Sequence, residues 1–254
     1  MHFLLVNDDG IGSVGIMALM EAALKRGHRV SMCAPSGQMS AASHRITLSD
    51  PLYVKDYPLN RENAEGFAIT GTPADCVRLA FLGGLVADPV DGVISGINNG
   101  YNAGLATYYS GTVGAAREGA LLGHPAIAAS IDYKADPAHV QDAAELVLAV
   151  AEKYCQAPQD GFRVLNINVP DLPRARWGAP VYAPLSRATI RDGYERCYAD
   201  RPGTYFWLQA GCEMDPPAEG CDEWYLNLGH PTLTLLSGMG SEPREDFDRL
   251  GLLG

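Results

Sequence analysis

Residues 2–25 read HFLLVNDDGIGSVGIMALMEAALK. The stretch from residue 2 to residue 6 is mostly apolar, which is typical of a strand buried on both faces. From Ile16 onward, apolar residues recur at i, i+3, i+4, i+7 and i+8, the period of one helical face. A buried strand joined to an amphipathic helix predicts the first half of a strand–helix–strand unit.

The same alternation continues to about residue 170. Further strands are predicted at residues 29–33, 90–95, 126–131 and 163–168, and helices at 113–122 and 137–154. Thr72-Pro73 predicts one more helix start, because threonine caps helices and proline fits their first position. Strands separated by helices need crossover connections, so we expect an α/β fold with a mostly parallel sheet covered on both faces.

Two segments depart from this alternation. Residues 36–70 are predicted to form a loop followed by small strands. After Pro170 the sequence is rich in Pro, Arg, Tyr, Trp and Gly and has few helical patterns. We therefore expect one α/β domain over residues 1–170 that carries the site. Residues 171–254 should form an irregular β-rich extension, with an arm near Tyr182–Leu208 that packs on another subunit and a loose acidic tail from Ser241.

The composition excludes several classes of protein. Among 254 residues, 47% are hydrophobic and 19% charged, so a largely disordered chain is excluded. The net charge of -11 argues against a partner that is a nucleic-acid polymer. No run approaches the ~18 apolar residues of a membrane span, and the N-terminus does not resemble a signal peptide. Six scattered cysteines without a CxxC pair favour free thiols and a cytoplasmic location.

Unusual polar residues follow the predicted strands. Asn7-Asp8-Asp9 ends the first strand, a loop with Ser40, Ser43 and His44 follows the second, and Asn98 follows the strand that ends near Ser95. Open parallel sheets bind ligands at the carboxyl ends of their strands. These side chains are therefore expected to meet at one edge of the sheet, although His44 can equally be an ordinary surface histidine.

The residue types predict a metal and an anion. Adjacent carboxylates at Asp8 and Asp9 repel each other unless a cation lies between them. With the Asn98 amide and the Ser40 hydroxyl, they form an all-oxygen set that selects Mg²⁺ or Mn²⁺. Residues 110–112, Ser-Gly-Thr, open a helix and suit a phosphate. Each piece alone is more often a cap or a turn, but together they predict phosphoryl transfer to water.

Residues 10–15, GIGSVG, also match the dinucleotide fingerprint GxGxxG. Asp8 and Asp9 lie where a pyrophosphate would approach. The second strand ends Cys33-Ala34-Pro35 and lacks the acidic residue that binds a ribose. A nicotinamide-cofactor site is therefore disfavoured.

Several motifs in order resemble the SurE family, the survival-protein nucleotidases. They are LLVNDDGI (4–11), the frame from Ala34 to Leu48, GTPADCV (71–77), SGIN (95–98), YSGTVGAAREG (109–119) and LNINVP (165–170). The resemblance implies a Rossmann-like three-layer fold and a metal-dependent phosphatase of nucleoside 5′- and 3′-monophosphates, in some members also an exopolyphosphatase. It also implies dimers or tetramers formed through exchanged arms.

Carried over by position, the resemblance assigns one divalent cation to four ligands and a phosphate to the next helix. The metal ligands would be Asp8, Asp9, Ser40 and Asn98, with Asp8 and Asp9 catalytic. The phosphate contacts would be Ser110, Gly111 and Thr112, with Asn7 and Ser43 nearby.

Three positions depart from the family pattern. Ala41 stands where a glycine is usual, so we expect the loop to avoid a positive φ there. Asn99 replaces a small residue, and Leu236 replaces a proline. None of the three is a proposed ligand.

Three hypotheses remain open, two of them mechanisms of hydrolysis and one a role without catalysis. In the leading hypothesis the metal or Asp8 polarises a water that attacks phosphorus in line. A phosphorylated Asp8 is a rival, disfavoured because the chain lacks a D-x-D spacing and a downstream lysine motif. The third is a nucleotide-binding or regulatory module without turnover.

Overall fold

The computed structural model describes residues 1–86, 89–158, 161–198 and 203–237. The strands are β1 (His2–Val6), β2 (Arg29–Pro35), β3 (Val54–Asp56), β4 (Ala64–Ile69), β5 (Gly92–Asn99), β6 (Ala126–Ile131), β7 (Arg163–Val169), β8 (Val181–Tyr182), β9 (Ile190–Tyr198), β10 (Thr204–Met214) and β11 (Thr232–Ser237). The helices are α1 (Val14–Lys25), α2 (Pro73–Phe81), α3 (Ala106–Tyr109), α4 (Gly111–Leu121), α5 (Pro137–Gln156) and α6 (Asp222–Asn227), with a short 3₁₀ turn at Arg174–Arg176.

A nine-stranded sheet in the described part of the chain has the order β3-β4-β2-β1-β5-β6-β7-β11-β8. The six strands from β4 to β7 run parallel, whereas β3 is antiparallel to β4 and β11 is antiparallel to β7. Helices α1 and α5 cover one face and α2 and α4 the other. The prediction of an α/β three-layer fold with a mostly parallel sheet is confirmed.

Strand β1 explains why its sequence is apolar without alternation. Phe3 and Leu5 pack into the core under α1 and α5, whereas Leu4 and Val6 pack into the core under α2 and α4. All four side chains are fully buried, because a central parallel strand contacts helices on both of its faces. The strand therefore directs its last residues to the edge where loops meet.

Helix α2 begins as predicted at Thr72. The Thr72 hydroxyl accepts a hydrogen bond from Asp75 N at 3.2 Å, and the Asp75 carboxylate accepts one from Thr72 N at 3.0 Å. This reciprocal capping box satisfies two N–H groups that a helix start would otherwise leave unpaired. The loop and small strands expected over residues 36–70 are also present, as β3 and β4.

The segment after Pro170 contributes to two sheets. Strands β9 and β10 form a separate antiparallel hairpin, whereas β11 and β8 extend the main sheet beyond β7. The tail predicted from Ser241 lies outside the described residues, and the division of the chain at residue 170 stays a prediction. No helix in the described ranges is long and apolar enough to cross a membrane.

Candidate active site

A cavity of about 480 Å³ opens at the carboxyl ends of β1 and β5. Five of the residues that the sequence singles out line it: Asp8, Asp9, Ser40, Asn98 and Ser110. They come from β1, from the loop after β2, from β5 and from the start of α4. The structure therefore brings together the four predicted metal ligands and one predicted phosphate contact.

Asp8 is the more buried of the two carboxylates, with 5% of its surface exposed. Its Oδ1 accepts a 2.6 Å hydrogen bond from the Thr112 hydroxyl. Burial raises the pKa of Asp8 to about 6; the Thr112 hydrogen bond opposes this rise, and the charge of Asp9 adds to it. A cation bound beside Asp8 would favour the charged form of this carboxylate and lower its pKa.

Asp9 is half-buried, and its Oδ2 accepts a hydrogen bond from Asn99 N at 3.0 Å. Burial raises the pKa of Asp9, and the Asn99 hydrogen bond opposes that rise. Asn99 Oδ1 in turn accepts a hydrogen bond from Lys134 N at 2.7 Å. The end of β5 and the loop before α5 thus hold this carboxylate in place.

Asn98 and Ser40, the two neutral residues of the predicted ligand set, both line the cavity. Asn98 donates its Nδ2 to Gly100 O at 2.7 Å, and its Oδ1 accepts no hydrogen bond from a described residue. Ser40 is exposed, and its Oγ accepts a 2.9 Å hydrogen bond from Gln38 Nε2. Met39 N donates to Asp8 O at 2.7 Å, which ties the serine loop to the end of β1.

The expectation for Ala41 was wrong. Ala41 has a φ of 56°, inside the left-handed region that favours glycine, and Ser43 follows with a φ of 51°. Two backbone hydrogen bonds fix the loop on either side of Ala41: Met39 N donates to Asp8 O, and Ser43 N donates to Tyr109 O at 3.0 Å. These anchors hold a conformation that a side chain at this position disfavours by about 1 kcal/mol.

The predicted phosphate contacts divide into two groups. Ser110 lines the cavity and caps α4, because its Oγ accepts Val113 N at 3.0 Å. Gly111 lies against Asp8, where a Cβ would be 3.1 Å from the Asp8 Cβ. The hydroxyl of Thr112 is engaged with Asp8. The start of α4 therefore both borders the cavity and supports the buried carboxylate.

Asn7 and Ser43 do not line the cavity. Asn7 is buried and donates its Nδ2 to Gly10 O at 2.8 Å and to Ser13 Oγ at 2.7 Å, which shapes the turn after β1. The Ser43 hydroxyl donates to Tyr108 O at 2.8 Å. Both side chains position loops of the site.

His44 is neither free nor at the cavity. Its Nε2 lies 2.7 Å from Glu118 Oε2, and the other oxygen of that buried carboxylate accepts Arg78 Nη1 at 2.7 Å. His44 and Arg78 thus share one carboxylate on α4. This cluster anchors the far end of the serine loop on the helix that supports Asp8.

The GxGxxG match has a structural explanation. A Cβ on Gly15 would lie 1.9 Å from Ile97 O, so the glycine allows α1 to approach β5 closely. Gly10 has a φ of 98°, which turns the chain directly after the two carboxylates. The glycines therefore serve close packing and a turn.

Asn102, which follows β5 in the sequence but is not among the predicted site residues, lines the cavity and is held by buried polar groups. Asn102 Nδ2 donates to Ser130 Oγ at 2.8 Å, and Asn102 N donates to Asn168 Oδ1 at 2.9 Å. Asn166 Nδ2 donates to Asn102 O at 2.8 Å. The signal was present in β7, where two asparagines at i and i+2 interrupt a buried strand.

The donor set fits a hard divalent cation. The residues that border the cavity include the predicted ligands Asp8, Asp9, Ser40 and Asn98 and also Asp192, all with oxygen atoms, and Mg²⁺ and Mn²⁺ prefer oxygen ligands. Within the described ranges no cluster of three or more His, Cys, Asp and Glu residues could hold a metal, as expected for a set with two carboxylates. The oxygen donors therefore favour a hard cation over a soft metal that prefers thiolate ligands.

Comparison with known proteins shows the family to which the chain belongs. Residues 3–192 match the family model described as survival protein SurE. The protein named 5′-nucleotidase SurE from Desulfitobacterium hafniense is 38% identical over 240 residues, which cover 92% of this chain and 90% of that protein. Its namesake from Solidesulfovibrio magneticus is 40% identical over 238 residues, covering 93% and 91%. The crystal structure of the Sure protein from Aquifex aeolicus superposes with a TM-score of 0.79 at 30% identity, covering 99% of this chain and all of that one.

Proposed function

The chain belongs to the SurE family, and from this premise we propose that it hydrolyses nucleoside monophosphates to a nucleoside and inorganic phosphate. The reaction would take place in the cavity that holds Asp8 and Asp9. The observation that carries the proposal is the buried Asp8 carboxylate beside Asp9, with a helix start directly behind it. The substrates would be nucleoside monophosphates with the phosphate ester on the 5′ or the 3′ position of the ribose.

One divalent cation, Mg²⁺ or Mn²⁺, would be held by Asp8, Asp9, Ser40 and Asn98. When bound, such an ion neutralises charge on the phosphoryl oxygens and makes water a better nucleophile. The support for these four ligands is that all four residues line one cavity and that their side chains carry the oxygen atoms that such a cation prefers.

The chain's own groups orient the reactants. Thr112 fixes the Asp8 carboxylate, so Asp8 is positioned to polarise the water that attacks phosphorus. The start of α4 at Ser110–Thr112 brings the positive end of a helix to the cavity, which stabilises a phosphate. The hydrogen bond from Thr112 to Asp8 links this helix start to the carboxylate and keeps the two elements together.

The decisive experiment is phosphate release from a panel of nucleoside monophosphates with Mg²⁺, with Mn²⁺ and with EDTA. Asp8→Asn should lose at least about a thousandfold in turnover while the far-ultraviolet circular dichroism stays unchanged. Asp56→Asn, an exposed carboxylate on β3, is the matched control and should keep full activity.

Three results would contradict the proposal or its mechanism. Undiminished turnover of Asp8→Asn would contradict the mechanism. A trapped phosphoryl group on Asp8 would favour the covalent route. Nucleotide binding without release by any metal-loaded form would identify a binding module.

We further propose that the hairpin β9–β10 is an arm that packs on a second copy of this chain to give a dimer or tetramer. Its exposed side chains include four large apolar or aromatic ones: Tyr194 is 69% exposed, Phe206 57%, Trp207 64% and Leu208 53%. Aromatic residues are enriched at protein–protein interfaces, which supports this role for the hairpin.

A cytoplasmic location is also proposed. Its support is that five of the six cysteines are free thiols, which suits a reducing compartment. These free cysteines are Cys33, Cys76, Cys155, Cys197 and Cys221.

A further inference from the structure

A second cavity, of about 400 Å³, lies beside the candidate active site. The short helix α3 borders both spaces: Tyr109 lines the first, Tyr108 lines the second, and Leu105 lines both. Ser186, from the segment between β8 and β9, and Ser237, at the end of β11, complete the walls of the second. Its lining also includes Arg117 and Arg187, and we refer to it as the arginine cavity.

The charge of the arginine cavity is opposite to that of the chain. The sequence has 30 acidic and 19 basic residues, yet the described residues that line this cavity include two arginines and no Asp or Glu. Neither Arg117 nor Arg187 forms an ion pair with any described residue. The two guanidinium groups therefore give the cavity a local positive charge, whereas the nearby buried Asp222 carboxylate is engaged with the backbone of two lining residues, Ser186 N at 2.7 Å and Gly104 N at 2.9 Å.

Arg117 is held in place but lacks an acceptor. Its guanidinium carbon lies 5.9 Å from the centre of the Tyr108 ring. Its Nε is buried and donates to no described residue. A buried N–H without an acceptor is unfavourable, and the cost is greater when the group carries a charge. An anionic ligand in the cavity would supply the negative charge and the hydrogen-bond acceptor that the Arg117 guanidinium lacks.

We propose that the arginine cavity binds a small anion through its phosphate group. Guanidinium groups match the geometry of phosphate oxygens with paired hydrogen bonds, which favours phosphate over a monovalent ion. Ser186 Oγ accepts Ala188 N at 3.2 Å, so its own hydroxyl proton remains available to donate. The volume is within the range of sites for small organic ligands, so both free phosphate and a small phosphomonoester fit.

The test measures phosphate binding by the full chain in EDTA, by isothermal titration calorimetry. Without metal the two carboxylates of the candidate active site repel phosphate, so the arginine cavity dominates the signal. Arg117→Gln and Arg187→Gln should each weaken binding by about tenfold or more, because each removes a charge-assisted contact. Arg174→Gln, which removes an exposed arginine of the 3₁₀ turn, should change the affinity by less than about twofold.

Two further variants separate the two cavities. Ser110→Ala alters the anion cradle of the candidate active site and should leave phosphate binding in EDTA unchanged. Arg117→Lys keeps the charge but loses the planar fork, and should bind phosphate less tightly than the parent chain. Because Arg187 is exposed, Arg187→Gln decides the matter even if a substitution at Arg117 impairs folding.

Inorganic phosphate and a nucleoside monophosphate are titrated separately. Tighter binding of the first identifies the free anion as the ligand, and tighter binding of the second identifies a phosphomonoester. The proposal is overturned if phosphate does not bind, if binding survives both arginine-to-glutamine substitutions, or if Ser110→Ala alone abolishes it. Since no turnover is measured, these outcomes do not depend on the proposed phosphatase activity.

Discussion

Thr112 Oγ1 donates a 2.6 Å hydrogen bond to Asp8 Oδ1, joining the first turn of α4 to the end of β1. The two residues are 104 positions apart in sequence, and both are buried. One contact therefore sets the distance between the element that carries a carboxylate and the element that suits a phosphate.

Thr112→Val should lower kcat/KM for a nucleoside monophosphate by about 10- to 100-fold, the usual effect of removing a partner that orients a metal ligand. Valine keeps the shape of threonine but cannot donate to Asp8. Thr112→Ser retains the hydroxyl and should recover most of the activity. Equal activity of the valine and serine variants would mean that the hydrogen bond does not orient Asp8.

Asp8→Asn should stabilise the metal-free chain at pH 7. The folded-state pKa of Asp8 is raised to about 6, so the folded chain binds its proton more tightly than the unfolded chain does. Stability of the metal-free parent must then fall as pH rises from about 4 to 6, by on the order of 2 kcal/mol. Asparagine removes this loss while it still accepts from Thr112.

The measurement is urea unfolding in EDTA at pH 4 and at pH 7. The two chains should have similar stability at pH 4, and the variant should be more stable at pH 7. With saturating Mn²⁺ or Mg²⁺ the order at pH 7 should reverse, because only the parent gains binding energy. A variant that is less stable than the parent in EDTA at pH 7 would contradict the raised pKa.

Ala41→Gly should raise the free energy of unfolding by about 0.5–1 kcal/mol, since glycine adopts a φ of 56° without the contact that disfavours alanine. Phosphatase activity should be kept, because Ala41 contributes no ligand. Ala42→Gly is the control, because Ala42 is outside the positive-φ region and glycine there only adds freedom to the unfolded chain. Thermal unfolding of the three chains decides; stabilisation by both substitutions would show that left-handed strain at Ala41 is not the cause.

Trp207→Ser together with Phe206→Ser should lower the mass of the assembly in analytical ultracentrifugation. Both side chains are more than half exposed on β10, so the isolated chain loses little packing. Leu48→Ser, an 87% exposed apolar residue in the loop before β3, controls for a general change of surface polarity. An unchanged sedimentation coefficient for the double variant would exclude the hairpin as the arm.

The parts of the fold that the sequence predicts are those with a local cause. The period of the apolar residues specifies β1 and α1, and the Thr72–Asp75 box specifies the start of α2. Strand β11 was not separated from the extension, because its pairing partner β7 lies some 60 residues earlier in the chain. Its sequence TLTLLS gives no local sign of that pairing.

The same distinction applies to the site. Asp8, Asp9 and Asn98 meet because they end neighbouring parallel strands, which is a consequence of topology that the alternation of elements already implies. The roles of Asn7 and Ser43 were not predictable in this way, since they depend on which way each side chain turns. Asn102 depends on partners in β6 and β7 that only the assembled sheet brings near.

The position of β11 also has a consequence for synthesis. β7 pairs with β6 on one side and with β11 on the other, and among the described strands β8 pairs with β11 alone. Until residues 232–237 leave the ribosome, one edge of β7 is unpaired and β8 lacks its partner in the main sheet. A nascent chain that stalls before this point exposes a hydrogen-bonding edge to other chains. The sheet is therefore completed late in the synthesis and folding of each chain.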